Sequence, residues 1–198
     1  MLVLMFKNTL FLACLLSLSA TVWAQKNIIK TRAIYLPGEN PTYSFGLGYE
    51  RKILDNLTVQ LLYNTSRFTP GFDASTTESK GLVPEVRYYF GKKENFRKKP
   101  FIGVFVEAYK FKEFGGMPQY NPDYYWVETN GNMTSVGVLI GKNNSIGKRF
   151  LIDIYIGVRY KFINGTNSFK RYSGEYFYRT HKESMPAARF GLNLGYLF

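Results

Sequence analysis

The chain has 198 residues, of which 18% are aromatic, and 26 Lys and Arg against 14 Asp and Glu give a net charge of +12. One cysteine and one histidine exclude a disulfide-stapled scaffold and a metal site rich in these residues. The length predicts one domain. A soluble domain rarely needs so many aromatic rings, whereas Tyr and Trp suit a bilayer interface because they join an apolar body to a polar tip.

The amino-terminal residues 1–24 predict a cleaved secretory signal peptide. Lys7 precedes a short apolar run, and small residues lead up to an expected cleavage site after Ala24. The apolar run is shorter than the about 20 residues of a membrane-spanning helix. Cys14 also allows a lipoprotein interpretation, although it lies early in the run. The expected mature domain, residues 25–198, contains no cysteine.

The rest of the chain alternates between apolar and small or polar residues at period two, which is typical of a strand with two different faces. Pro84 cannot donate to a sheet ladder, so we expect a bulge there. The alternation predicts eight strands, at residues 28–36, 42–50, 57–64, 82–90, 101–111, 134–141, 151–160 and 188–198.

The connections between these strands predict the topology. Short connections at 51–56, 91–100 and 142–149 alternate with longer ones at 65–80, 112–131 and 162–186. An even number of strands with alternating short turns and long loops is typical of outer-membrane barrels. The sequence therefore predicts an all-β fold, an eight-stranded antiparallel up-and-down transmembrane β-barrel with its short turns in the periplasm.

The two faces of the strands differ in a way that a soluble β-sandwich, the alternative fold, does not explain. The large apolar residues share one face, while the other face is small and carries the glycines. A narrow closed barrel with lipid outside needs small residues inside. The glycines on this inward face are Gly46, Gly48, Gly103, Gly137, Gly141, Gly157, Gly191 and Gly195.

The inward face also carries charged residues in equal numbers of each sign. An eight-stranded barrel has room inside for its own side chains, and unpaired charges there are costly. We therefore predict an internally compensated charge network that plugs the barrel, with a catalytic carboxylate pair or an ion path as the alternatives. The members are Arg32, Glu50, Glu85, Arg87, Glu107, Asp153, Arg159 and Arg189.

Excess basic charge collects in the three short turns, which hold ten basic residues against Asp55 and Glu94. We expect either contact with lipid headgroups or simple solvation, and no nucleic-acid partner, because no nucleic-acid motif accompanies the charge. The long loops carry aromatic residues that predict either recognition of a surface partner or an upper aromatic girdle on extended strands. These candidate recognition residues are Tyr120, Tyr124, Tyr125, Trp126, Tyr172 and Tyr176.

An enzymatic function would need a convergent polar site. His181, Glu183 and Ser184 are the residues that a lipid hydrolase at the outer rim would use, but residues this close in one loop show no such geometry. We expect a lone rim histidine to be solvated, and we predict no catalytic residue, no metal and no cofactor.

The chain ends on a strand with an apolar face. Leu194, Tyr196 and Phe198 alternate toward lipid and form the pattern that barrel-assembly machinery reads, so this machinery is an expected partner during biogenesis. We expect the last strand to close the barrel against the first one.

Several stretches resemble a family of small bacterial outer-membrane β-barrel proteins with a domain of unknown function, similar in architecture to the OmpX type. The family usually reads Lys-Thr-Asn where this chain has Lys30-Thr31-Arg32. The resemblance implies a barrel in the bacterial outer membrane and brings no catalytic residues. The stretches are IIKTRAIYLPGENPTYSFGLGYERKI, VPEVRYYF, KPFIGVFVEAYKF, GVLIGKNNSIGKRFLIDIYIGVRY and LNLGYLF.

The expected function is a structural or surface-interacting role through the loops, in contact with outer-membrane lipids and lipopolysaccharide. The alternatives are a lipid-modifying enzyme of the outer membrane and an accessory subunit of a secretion or transport assembly. In the last case the basic short turns would contact a periplasmic protein partner.

Overall fold

The computed structural model of the chain describes residues 27–36, 42–68, 76–91, 98–114, 124–171 and 173–198, so the predicted signal peptide lies outside the described residues. Within them, no helix has the length and apolarity needed to cross a membrane. Eight strands form one antiparallel sheet. They are β1 (Asn27–Leu36), β2 (Thr42–Leu54), β3 (Leu57–Phe68), β4 (Thr76–Tyr89), β5 (Pro100–Phe114), β6 (Tyr124–Ile146), β7 (Phe150–Arg171) and β8 (Tyr176–Leu197).

The sheet closes on itself in strand order from β1 to β8, which confirms the predicted eight-stranded barrel. Residues 28–31 of β1 pair with residues 194–197 of β8, and the Phe198 amide donates to the Asn27 carbonyl at 3.1 Å. The tail therefore closes the barrel against strand one, as expected.

The strands are tilted with respect to the barrel axis. Directly paired residues can be followed around the barrel from Ser184 of β8, through each strand in turn from β7 to β1. The path returns to β8 at Leu194, ten residues further along the chain. A closed sheet accommodates such a displacement only by tilting its strands, as known barrels do. Each strand therefore rises obliquely, and each inward side chain meets residues from several strands.

The two faces separate as the alternation predicts. Outward residues such as Phe45 and Val158 are 51% and 63% exposed, whereas the inward Leu62 and Leu139 are 0% and 1% exposed. Leu62 and Leu139 belong to a buried cluster that includes the rings of Tyr89, Phe101, Phe105 and Tyr155. A second buried cluster lies at the closure of the barrel and contains Ile28, Leu151 and Leu197. The large apolar residues that would form the core of a soluble protein thus lie on the outer surface.

Three strands are much longer than predicted. β6, β7 and β8 have 23, 22 and 22 residues, whereas the first five strands have 10 to 15. Most of residues 162–186, predicted as a loop, is therefore paired strand, and that prediction was wrong. The alternation fades there because both faces are polar, with Thr166 outward and Asn167 inward.

The predicted bulge at Pro84 was also wrong. The register of β4 with β3 is continuous through Pro84, and the register with β5 is unchanged on either side of it. The Phe90 amide bonds to Pro100 of β5, so alternate residues, including Pro84, turn their nitrogen toward β5. Pairing with β5 lapses at residues 83 and 84, because proline has no amide hydrogen to donate there.

Inward glycines of β7 allow a direct test of the space inside the barrel. A Cβ atom at Gly157 would lie 2.7 Å from Leu139 Cβ and 2.9 Å from Leu139 Cα, whereas one at Gly165 would meet only the ring of His181. We expect Gly157→Ala to lower the free energy of unfolding by about 1–3 kcal/mol, because backbone cannot move aside cheaply. Gly165→Ala is the matched control, since an imidazole can rotate away. Urea unfolding in detergent micelles measures both, and equal losses would contradict this account.

Candidate functional site

The charged residues of the barrel interior form the candidate functional site, and we call them the interior network. Seven of the eight sequence-predicted members are joined by ion pairs, and Lys30 is an additional member. Six of the eight strands contribute a charged side chain to it, namely β1, β2, β4, β5, β7 and β8. The network therefore depends on barrel closure, because its members lie far apart in sequence.

The part of the interior network nearest the chain termini is built around Lys30 and Arg87. Lys30 Nζ lies 2.6 Å from Asp153 Oδ2 and also contacts Glu50. Arg87 Nη1 lies 2.6 Å from the same Asp153 oxygen and 3.8 Å from Glu50. All four side chains have no exposed surface, so the two cations and two carboxylates neutralise each other inside the barrel.

Neutral groups also donate hydrogen bonds to one oxygen of each of these carboxylates. Glu50 Oε1 accepts from Tyr89 at 2.8 Å and from Thr58 at 2.5 Å. Asn193 Nδ2 donates to Asp153 at 3.1 Å. A buried carboxylate is tolerated when such donors replace the water it has lost.

The network continues toward the middle of the barrel through two arginines. Glu85 accepts from Arg87 Nε at 2.5 Å and pairs with Arg189 Nη1 at 3.1 Å, so it links the two halves. Arg189 Nε lies 3.4 Å from Glu107, which also contacts Arg159 and Ser135. The ion pairs thus form one connected chain of charges.

Aromatic rings fill the space between the guanidinium groups. The Cζ atom of Arg87 lies 4.2 Å from the ring centroid of Phe101, and that of Arg189 lies 3.9 Å from the Phe105 ring. Tyr155 is within 6 Å of three guanidinium groups, the closest at 5.0 Å. These cation–π contacts stabilise the buried cations beyond their ion pairs and hold the side chains in place.

The family model DUF3575, described as a protein of unknown function, matches residues 9–198. The chain belongs to the DUF3575 family. No curated protein matches it.

Solved structures similar to the DUF3575 chain are outer-membrane proteins. The translocator domain of the autotransporter NalP from Neisseria meningitidis has 12% identity and a TM-score of 0.44, covering 98% of this chain and 95% of its own. OprG from Pseudomonas aeruginosa has 14% identity and a TM-score of 0.48, with coverages of 88% and 96%. AlkL, solved in lipid bilayers by solid-state NMR, has 13% identity and a TM-score of 0.46, with coverages of 90% and 93%.

Arg32 differs from the other predicted network members of the DUF3575 chain. It has no ion pair within the described residues; its Nε donates to Asn193 Oδ1 at 3.0 Å and its Nη2 donates to the Tyr155 hydroxyl. Four carboxylates meet four cations elsewhere in the network, so Arg32 is a fifth cation. Within the interior network, Arg32 therefore has no carboxylate of its own and is held by neutral partners.

The sequence prediction missed Lys30, although the signal was present. Arg32 was predicted on the inward face, and alternation along the strand places Lys30, two residues earlier, on that same face. Without Lys30, Asp153 would keep one cation partner instead of two.

The hydrolase candidates do not converge. His181 points inward, with its ring over Gly165, whereas Ser184 lies on the outer face, 3.3 Å from the Tyr160 hydroxyl. Because residues three apart in a strand occupy opposite faces, the wall of the barrel separates them. No group of three or more His, Cys, Asp or Glu able to hold a metal occurs among the described residues.

The candidate recognition aromatics lie partly in strands. Tyr124, Tyr125 and Trp126 belong to β6 and not to a loop, as the alternative of extended strands expects. Tyr176 begins β8 and is 52% exposed, with Lys170 Nζ 5.5 Å from its ring centroid. Tyr120 and Tyr172 lie outside the described residues.

Proposed function

We propose that the DUF3575 chain is an integral barrel of the bacterial outer membrane whose interior is closed to ions, and that it acts through the end opposite its termini. In this orientation the termini and short turns lie in the periplasm. The proposal combines three observations: the apolar outer belt, the interior network and the unequal height of the wall.

The apolar outer belt supports a membrane position. Its ends carry aromatic pairs: Phe150 and Tyr196 have ring centroids 5.4 Å apart, and Tyr160 and Phe162 have centroids 5.2 Å apart. Aromatic girdles at the two ends of an apolar belt are the pattern of transmembrane barrels. Such a surface would be unfavourable in water, because it exposes large apolar side chains over the whole circumference.

The interior network is the single observation that carries the proposal of a closed barrel. Its charges come from six strands, form one connected chain of ion pairs and are packed against Phe101, Phe105 and Tyr155. A permeating ion would have to displace buried, mutually paired charges, which costs several kcal/mol.

The unequal wall supports a role outside the membrane. A barrel strand crosses the bilayer with about 9–11 residues, so β6, β7 and β8 extend well beyond it on the side opposite the termini. Near the tip, Tyr178 is 69% exposed, and the rings of Phe169 and Phe177 stack at 4.9 Å. A rigid extension with exposed aromatic rings suits contact with a protein or glycan at the cell surface.

Planar-bilayer recording tests the closed interior. We expect the wild-type barrel to give no stable open level, whereas Glu107→Ala/Arg159→Ala, which removes both members of one pair, should produce brief conductance steps. Removing both members avoids leaving a charge unpaired. Large, steady steps from the wild-type protein would overturn the proposal.

A further inference from the structure

We propose that the outer face of the barrel wall from β4 to β7 binds one phosphorylated glycolipid of the outer leaflet. Its headgroup would lie on a lysine-rich groove above the apolar belt, and its acyl chains would lie on a valine-rich groove below. This inference rests on the membrane position and orientation given under the proposed function, and it does not depend on whether the interior conducts ions.

The lysine-rich groove is an open groove of about 770 Å³ on the outer face. Lys80 of β4 and Lys110 and Lys112 of β5 line it. On the outer face, Lys80 is the next outward residue beyond Leu82 in the direction away from the chain termini. Lys110 is the next outward residue beyond Ala108 in the same direction. The lysines therefore stand directly above the last apolar residues of the belt, where lipid phosphates lie.

Two of these lysines repel each other unless an anion is bound. Lys80 and Lys110 are directly opposite each other in the β4–β5 ladder, a position where like charges repel. Glu78 is opposite Lys112 in the same ladder and also lies 3.8 Å from Arg67, so this one carboxylate stands among four cations. Among the described residues none of the three lysines has a carboxylate within 4.0 Å. A phosphate group would neutralise this local excess of positive charge.

Amide side chains continue the lysine-rich groove across the wall. Lys110 is paired with Asn132, and Asn132 with Asn164, so lysine and amide groups form one row. Asn130 lies beside them in the same groove. Asparagine amides donate to and accept from hydroxyl groups, which suits the sugars of a glycolipid headgroup.

The valine-rich groove lies below, on the same strands, with a volume of about 680 Å³. Its floor is made of small β-branched or cyclic side chains flanked by larger ones, so a flexible chain can lie along it. The valines that line it from β4 to β7 are Val86, Val104, Val106, Val136, Val138 and Val158.

The combination selects the ligand class. A soluble phosphate or a nucleic acid would leave the apolar groove unoccupied. An unphosphorylated lipid would leave the positive charge of the lysines without an anion. A lipid with phosphate, sugar and several acyl chains satisfies the lysines, the asparagines and the valine-rich groove together.

Native mass spectrometry of the delipidated barrel in detergent micelles tests the proposal. The probe is a synthetic bisphosphorylated, multiply acylated glucosamine disaccharide, compared with its dephosphorylated form and with inorganic phosphate. We expect one tightly bound copy of the phosphorylated lipid. Lys80→Gln/Lys110→Gln/Lys112→Gln should weaken binding on the order of a hundredfold, since each lysine near an anionic headgroup contributes about fivefold.

The matched control is Lys98→Gln/Lys142→Gln/Lys148→Gln, which removes the same charge from exposed lysines at the terminal end of the barrel. This variant should bind as the wild type does, and heat-modifiable migration on gels confirms that both triple variants are folded. Equal weakening in both variants would show general attraction between charges and overturn the proposal. Equal binding of the dephosphorylated lipid, or retention of inorganic phosphate alone, would overturn it as well. None of these outcomes bears on the conductance experiment, so the two proposals fail separately.

Discussion

Replacing Arg87 by methionine should lower the free energy of unfolding of the barrel by about 3–5 kcal/mol. Arg87 is fully buried and touches the carboxylates of Asp153, Glu85 and Glu50. Methionine fills most of the same volume, so the loss comes from leaving buried carboxylates with too few cations rather than from a cavity. Arg87 also contacts Glu85, the residue that continues the ion pairs to Arg189, so its loss would divide the interior network in two.

Urea unfolding in detergent micelles, followed by loss of heat-modifiable migration, measures this change. Arg171→Met is the matched control, because Arg171 also forms an ion pair, 3.0 Å from Glu175, but is 56% exposed. Its loss should cost at most about 1 kcal/mol, since water screens exposed pairs. If both variants unfolded at the same urea concentration, the network would have no special role in stability.

Deleting Phe198 should leave most of the chain unassembled. The Phe198 amide holds the end of β8 to Asn27 of β1, and only four residues of each strand pair across this closure. β1 and β8 form the shortest ladder of the barrel, so the loss of one terminal contact removes a large share of it. We also expect the deletion to remove the aromatic end of the assembly signal formed with Leu194 and Tyr196.

The fraction of chain in the outer-membrane pool that shows heat-modifiable migration measures this effect. Phe162→Ala is the control, because Phe162 is an outward ring of similar exposure, 48% against 46%, at the opposite end of the apolar belt. That variant should assemble normally, since Phe162 pairs within the long β6–β7–β8 wall. Normal assembly of the Phe198 deletion would contradict both the closure argument and the assembly-signal prediction.

The sequence predicted the strands well where lipid and barrel interior impose opposite preferences on alternate residues. Tyr43 to Tyr49 and Leu57 to Tyr63 alternate clearly, and both stretches are strands. The prediction stopped short in β6, β7 and β8, where polar residues such as Thr166 and Asn167 occupy both faces and the apolar alternation is lost. The expectation of a bulge at Pro84 failed for a different reason. The missing amide hydrogen is accommodated by a local loss of pairing with β5, without a change of register.

For the interior network, parity along each strand was enough to place the charged residues on the inward face. It did not give their partners. Glu85 pairs with Arg87 on its own strand and with Arg189, 104 residues later, because the strand tilt and the β7–β8 register bring Arg189 to the same level. The position of Arg32 without a carboxylate partner likewise depends on where the closed barrel places Asp153 and Asn193.

The sequence by itself determined which face of each strand is apolar, because that preference is local and repeats every two residues. It also determined the number of strands and the inward position of the glycines. Only the tertiary structure decided which charges meet, that His181 and Ser184 lie on opposite sides of the wall, and that Lys80 stands opposite Lys110. These contacts depend on register and closure, which arise from pairing between distant strands and not from the pattern within any one of them.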